Sequence, residues 1–172
     1  VNKAMGLNIP DNVGCILFIE IDGNRQAVKE NIQKIDQISK QCNGLGNQWD
    51  DDPAKRLKMW AGRQGLVPSL SKIRRGAKLV PLVEDFGVPM SKIPETIREL
   101  QKLRDKHNFP IPIFGHIGDG NLHAVLILDG RNKKEWEEIK GIAQDFIDLT
   151  MKYKGTLTAE HGIGVAKSPY IH

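Results

Sequence analysis

The sequence predicts an α+β fold: a ferredoxin-like antiparallel sheet with helices packed on one face. Three observations lead there. Apolar runs of strand length interleave with segments whose apolar residues recur at the helical period. The best-defined pair of strands, residues 111–117 and 122–128, is joined by Gly118-Asp119-Gly120-Asn121 and reads as an antiparallel hairpin. The length, 172 residues, suits one domain with a sizeable core, so the domain expected is 1–172.

The elements follow in order. Residues 13–21 read as a strand ended by Asp22-Gly23. Residues 26–42 read as a helix, with Val28, Ile32, Ile35, Ile38 and Cys42 on one face and Asn43-Gly44 as its stop. Residues 45–76 are the least regular, rich in turn formers, with a helix expected near 54–63. Residues 78–86 resemble a strand. Ser91 is placed to cap a helix running to about His107, with Ile93, Ile97, Leu100 and Leu103 inward and Pro94 in the first turn, where proline is tolerated. Residues 133–154 form a long amphipathic helix with Trp136, Ile139, Ala143, Phe146, Leu149 and Tyr153 inward, stopped by Gly155. Residues 156–159 read as a last strand.

Composition narrows the function classes. The net charge of +4 is a mild excess, and the one dense basic stretch is Lys72, Arg74, Arg75 and Lys78, so no nucleic-acid partner is expected. Two distant cysteines, Cys15 and Cys42, make neither a disulfide framework nor a metal signature; they are expected as reduced, largely buried thiols. No stretch approaches the roughly 20 apolar residues of a membrane span.

Two segments are dense in chemistry: Gly115-His116-Ile117-Gly118-Asp119-Gly120-Asn121-Leu122-His123 and Glu160-His161-Gly162-Ile163-Gly164. A two-residue turn at Asp119-Gly120 would set His116 directly opposite His123, with Cβ atoms about 4.5–5.5 Å apart. Two imidazoles so placed can share one metal ion, and Glu160 is the natural third ligand, leaving a coordination position open for substrate oxygen. The same spacing also suits two ordinary polar positions on a solvent-facing strand. His161 suits proton abstraction, or a structural role; on an extended strand it and Glu160 would point to opposite faces. His107 and His172 read as surface residues. Gly162-Ile163-Gly164 is too short a glycine pattern for a nucleotide loop. Arg63 and Lys78 offer carboxylate clamps or plain solvated charges.

In combination, Gly115-His116-x-Gly118-Asp119-Gly120-Asn121-x-His123, Glu160-His161-Gly162-Ile163-Gly164 with Lys167 and Tyr170, residues 84–94 (Glu84-Asp85-Phe86-Gly87-Val88-Pro89-Met90-Ser91-Lys92-Ile93-Pro94) and the Trp60-x-x-Arg63 pair resemble the C-terminal domain of FAD-linked oxidases. That family includes glycolate oxidase, D-lactate dehydrogenase and D-2-hydroxyglutarate dehydrogenase. The resemblance implies a substrate-binding cap domain of a flavoenzyme that oxidises a D-2-hydroxy acid to a 2-oxo acid. It implies His116, His123 and Glu160 as ligands of zinc or manganese, His161 as the base, Arg63 and Lys78 on the substrate carboxylate, and Asn121 near substrate and flavin. FAD would be held mainly by a separate N-terminal FAD-binding domain, absent here together with a C-terminal tail, so the fragment alone is expected to be inactive. An electron acceptor is a further implied partner. Self-association through an exposed former interface, and a cytoplasmic or membrane-peripheral location, are also expected. Two alternatives remain at this point: an alkyl-glycerone-phosphate synthase-like flavoprotein domain, and a non-catalytic ferredoxin-like binding module.

Overall fold

The computed structural model describes residues 9–82 and 84–171. Residues 1–8, Val83 and His172, the last expected at the surface, lie outside the described residues. The chain divides into two compact units, Val1–Ser69 and Leu70–His172.

In the first unit, α1 (Arg25–Gln41) starts where the Asn24 side chain accepts the Ala27 N–H at 2.9 Å, and α2 (Pro53–Gln64) starts where Asp52 accepts the Lys55 N–H at 2.9 Å with proline in the first turn. A short helix, α3 (Leu66–Leu70), follows. Both longer helices fall within a residue of the expected spans, 26–42 and 54–63. The strand expected over 13–21 does not form. No strand of this unit pairs with it among the described residues, and Ile16, Leu17 and Ile19 are exposed. An apolar run becomes a strand only where a neighbour takes its backbone hydrogen bonds. Cys15 and Cys42 are free as expected, but exposed rather than buried.

The second unit runs β1 (Ala77–Val80), β2 (Asp85–Gly87), α4 (Ile93–His107), β3 (Ile113–His116), β4 (Asn121–Ala124), β5 (Leu126–Asp129), α5 (Lys133–Lys152) and α6 (Gly164–Lys167). All pairings are antiparallel: β1 with β5, and β2 and β3 on either side of β4. The expected strand 78–86 is thus two strands. The expected last strand shrinks to one bridge, Thr156 to Gly87. With that bridge as a vestigial fourth strand, the unit follows β-α-β-β-α-β order with both helices contributing to one core, the ferredoxin-like form. Leu122, Ala124, Leu126 and Leu128 pack with Ile93 and Leu100 of α4 and with Ile142, Ala143 and Phe146 of α5.

Several local expectations shift. α4 begins after a 3₁₀ turn at Met90–Lys92, so Ser91 does not cap it; Asn108, at φ 55°, ends it. Trp136 is 43 % exposed and donates its ring N–H to the Gly130 carbonyl instead of facing the core. His107 is half-buried and hydrogen-bonded to Asp145 at 2.6 Å, rather than solvated.

The hairpin register also differs. His116 pairs with Asn121 and Phe114 with His123, so residues 117–120 form a four-residue loop. A two-residue turn of the mirror-image kind needs positive φ at both central residues. Gly120 has it, at 81°, whereas Asp119 does not. Asp119 instead accepts the Asn121 N–H through its carboxylate, and its own N–H donates to the His116 carbonyl. Gly120 is also pressed against the next strand's exit: Val88 N–H donates to its carbonyl at 2.9 Å, and a Cβ there would lie 2.2 Å from the Val88 oxygen.

Gly120→Ala therefore combines left-handed strain with a backbone clash and is expected to cost at least about 1 kcal/mol. In a unit of this size that lowers the melting temperature by roughly 4–8 °C per kcal/mol. Thermal denaturation followed by circular dichroism checks this; an unchanged midpoint would contradict the close approach.

Candidate metal centre

Along β4 the even-numbered side chains enter the core, so Asn121 and His123 project from the opposite face of the sheet. His123 is 4 % exposed. Its ring stacks between Phe114, the residue paired with it on β3, and His161, with centroids 5.3 Å away on each side. His116 lies two residues further along β3, on the same face as His123 but diagonal to it; the centroids are 5.8 Å apart, edge to face. The changed register thus moves the two histidines from directly opposite to diagonal and keeps them on one face, because it is displaced by an even number of residues.

The other half of the site comes from residues 158–161, and Asp85 holds it. This β2 carboxylate is fully buried. It accepts hydrogen bonds from the Thr158 hydroxyl (2.6 Å) and from the backbone N–H groups of Ala159 (3.0 Å), Glu160 (3.2 Å) and His161 (2.9 Å). Burial alone would raise its pKa; the hydroxyl and the three N–H donors outweigh that and hold it at about 2. Lys167, itself buried, donates to the Asp85 backbone carbonyl at 2.5 Å. Wrapped round one carboxylate, the chain at 159–161 is not extended, and Glu160 and His161 reach the same place instead of opposite faces.

That place is defined by one oxygen. Glu160 Oε1 lies 3.2 Å from His123 Nε2, 3.5 Å from His161 Nε2 and 3.8 Å from His116 Nε2. Behind the rings, Glu84 takes the other nitrogens: Oε2 is 3.0 Å from His123 Nδ1 and Oε1 is 2.7 Å from His161 Nδ1. Burial opposes ionisation of Glu84, yet the hydrogen bonds from His123 and His161 hold its pKa below the usual carboxylate range. The Glu84 hydrogen bond raises the pKa of His123 against the opposing effect of burial.

The donor set fits a divalent ion. One nitrogen from each of His116 and His123 and one Glu160 oxygen lie within 4.8 Å of one another. Two ligands about 2.1 Å from a tetrahedral ion stand roughly 3.4 Å apart, and zinc takes nitrogen and carboxylate oxygen together. His123 is sheltered, while Glu160, His116 and His161 are 46, 40 and 53 % exposed at the side chain, so the centre opens to one side. Asn121, 4 % exposed, keeps its Oδ1 buried without a hydrogen-bond partner, a spare acceptor on the strand that carries His123.

The structure thus brings together His116, His123, Glu160 and His161, with Asn121 on the same strand. Lys78 stands apart on β1, exposed, its stem over Gly130, and is not bonded to the cluster. Arg63 is exposed near the end of α2 in the first unit. Gly162 and Gly164 have positive φ and lead into the four-residue α6. Sequence reasoning missed Glu84, Asp85 and Lys167 as parts of the site. The signal was present: two consecutive acids beginning an apolar strand are costly unless something on the sheet needs them.

Asp85→Asn is expected to loosen the 158–161 loop. Asp85 is depressed from 3.8 to about 2, so its contribution is full above pH 3.8 and is lost as pH falls toward 2. At about 1.4 kcal/mol per tenfold change in proton affinity, that is roughly 2 kcal/mol. Denaturant melts of both proteins at pH 7 and pH 2.5 check the sign: the gap should narrow in acid.

The family described as FAD linked oxidases, C-terminal domain, matches residues 1–172. The glycolate oxidase subunit GlcD of Bacillus subtilis is 29 % identical over 165 residues, covering 96 % of this chain and 34 % of the relative. The probable mitochondrial D-lactate dehydrogenase of Danio rerio is 29 % identical over 151 residues, 88 % of this chain and 30 % of its own. The D-2-hydroxyglutarate dehydrogenase of Haemophilus influenzae is 32 % identical over 178 residues, 96 % of this chain and 17 % of its own. The chain spans about a third or less of the length of these curated relatives. A match along its whole length, over a ferredoxin-like unit carrying both histidine motifs, makes this chain a member of the FAD-linked oxidase C-terminal domain family.

Proposed function

We propose that this chain is the substrate-side domain of a flavin-dependent enzyme that oxidises a D-2-hydroxy acid to the 2-oxo acid. The observation that carries the reading is the convergence of three imidazole Nε2 atoms on one Glu160 oxygen, within a family of flavin-linked oxidases. The names of the relatives, a glycolate oxidase subunit and D-lactate and D-2-hydroxyglutarate dehydrogenases, share a hydroxyl beside a carboxylate. FAD would sit mainly on a separate FAD-binding domain, with an external electron acceptor and a cytoplasmic or membrane-peripheral location.

His116, His123 and Glu160 would hold the divalent ion, zinc or manganese, at the open side of the sheet. When bound, the ion supplies Lewis acidity to the substrate hydroxyl and the flavin supplies a two-electron acceptor. His161, at the rim, takes the hydroxyl proton at Nε2, the nitrogen that faces the centre. Asn121 Oδ1 is the acceptor left for a bound hydroxyl or for an ordered water. Arg63 and Lys78 are assigned to the carboxylate; their support is charge and exposure.

The test uses the intact protein, flavin included. Mixed anaerobically with glycolate, D-lactate, D-2-hydroxyglutarate and the L-forms, its flavin absorbance should bleach with glycolate and the D-acids. Chelation should abolish bleaching, and His161→Ala should slow it by about 10²–10⁴-fold. Bleaching that survives chelation keeps the oxidation and discards the ion; no bleaching with any hydroxy acid discards the reading. His116→Ala should remove tight metal binding, measured by chelator competition, with little change in melting temperature, because this side chain stands at the open edge. Full occupancy in that variant would strike His116 from the ligand set.

A further inference from the structure

We infer that Glu84 is the positioning residue of this site: one carboxylate that sets the tautomer of both His123 and His161 and so turns their Nε2 lone pairs to the same point. The inference rests on the metal and base assignments just proposed. An ionised carboxylate only accepts hydrogen bonds. Neutral His123 and His161 can therefore meet Glu84, at 3.0 and 2.7 Å, only by donating Nδ1–H. Each neutral ring carries one proton, so Nε2 of both must be unprotonated. One of these nitrogens is 3.2 Å and the other 3.5 Å from Glu160 Oε1. A lone pair there is what ligation by His123 and proton abstraction by His161 each require.

The two oxygens of Glu84 are divided between the rings, Oε2 to His123 and Oε1 to His161. Its side chain is 11 % exposed, so water competes little for either bond. When His161 gains a proton, the positive ring faces Glu84 directly, the role an aspartate plays behind the histidine of a catalytic triad. Because the same carboxylate serves both rings, loading the ion and holding the base are set by one side chain.

Glu84→Gln tests this sharply. The amide has one acceptor and one donor end, so it can keep Nδ1–H on one ring only and forces the other to carry its proton on Nε2. The experiment compares the intact wild-type and Glu84→Gln proteins, histidine-¹⁵N-labelled, stripped of metal and held at a pH where the rings are neutral. Ring-nitrogen spectra are assigned with His123→Gln and His161→Gln. Zinc affinity is measured separately by chelator competition. The expected result is Nδ1–H at both rings in the wild type, one ring converted to Nε2–H in Glu84→Gln, and zinc affinity reduced about 10–100-fold. A wild-type ring of either residue found as Nε2–H overturns the inference, and this arm holds even where the variant does not fold. A folded Glu84→Gln protein with both Nδ1–H rings and unchanged affinity overturns it equally. A wild type with no measurable affinity for zinc or manganese sinks the metal reading instead, and the tautomers still decide the role of Glu84.

Discussion

The site depends on one buried anion. Asp85 sits inside the sheet, paired in register with His123 and fully buried. Its oxygens are met by three consecutive N–H groups and a hydroxyl, all from residues 158–161. A carboxylate in that position dictates the conformation of the chain that satisfies it, because any other path leaves it unpaired at a cost of several kcal/mol. The loop carrying Glu160 and His161 is thereby fixed to the strand that lies against His123. Glu160 of the loop and the histidines of the hairpin thereby share one reference point.

The charges of the cluster point the same way. Glu84, Asp85 and Glu160 bring three carboxylates together, and among the described residues Lys167 is the ammonium beside them; with neutral histidines the formal balance is two negative charges. Left alone, such an excess strains a partly buried site. A dication would cancel it, and His116 and His123, proposed as its ligands with Glu160, are uncharged donors that would add no further charge. Lys167 contributes from behind, where burial pushes its pKa down while Asp85 and Glu84 push it up.

Much of this was legible in the sequence. The helices at 25–41, 93–107 and 133–152 follow from the spacing of Val28, Ile32 and Ile35, of Ile93, Leu100 and Leu103, and of Ile139, Ala143 and Phe146. The hairpin and the meeting of His116, His123 and Glu160 were also within reach. Less legible was whatever depends on a partner far along the chain. Residues 13–21 have strand composition and no strand beside them; Thr156 pairs with Gly87 through a single bridge. The turn at Asp119-Gly120 has the residues of a tight hairpin, but Gly120 is also held against Val88, a contact that only the fold reveals. Glu84 and Asp85 were visible as residues and invisible as a clamp, because their partners lie 39 to 77 positions away.

The departures from a regular ferredoxin-like sheet gather at this site, and chemistry accounts for that. Between Val80 paired with Leu126 and Asp85 paired with His123, the edge chain advances five residues while its partner advances three. Glu84 and Asp85 are neighbours in sequence at this break, yet both carboxylates serve the same cluster. Likewise the last strand is cut to one bridge so that residues 158–161 can coil round Asp85 instead of running straight. A longer ladder would add backbone hydrogen bonds and pull Glu160 and His161 apart. The sheet gives up regularity where His116, His123, Glu160 and His161 come together, and recovers its stability from the Leu122–Leu128 face packed on the helices.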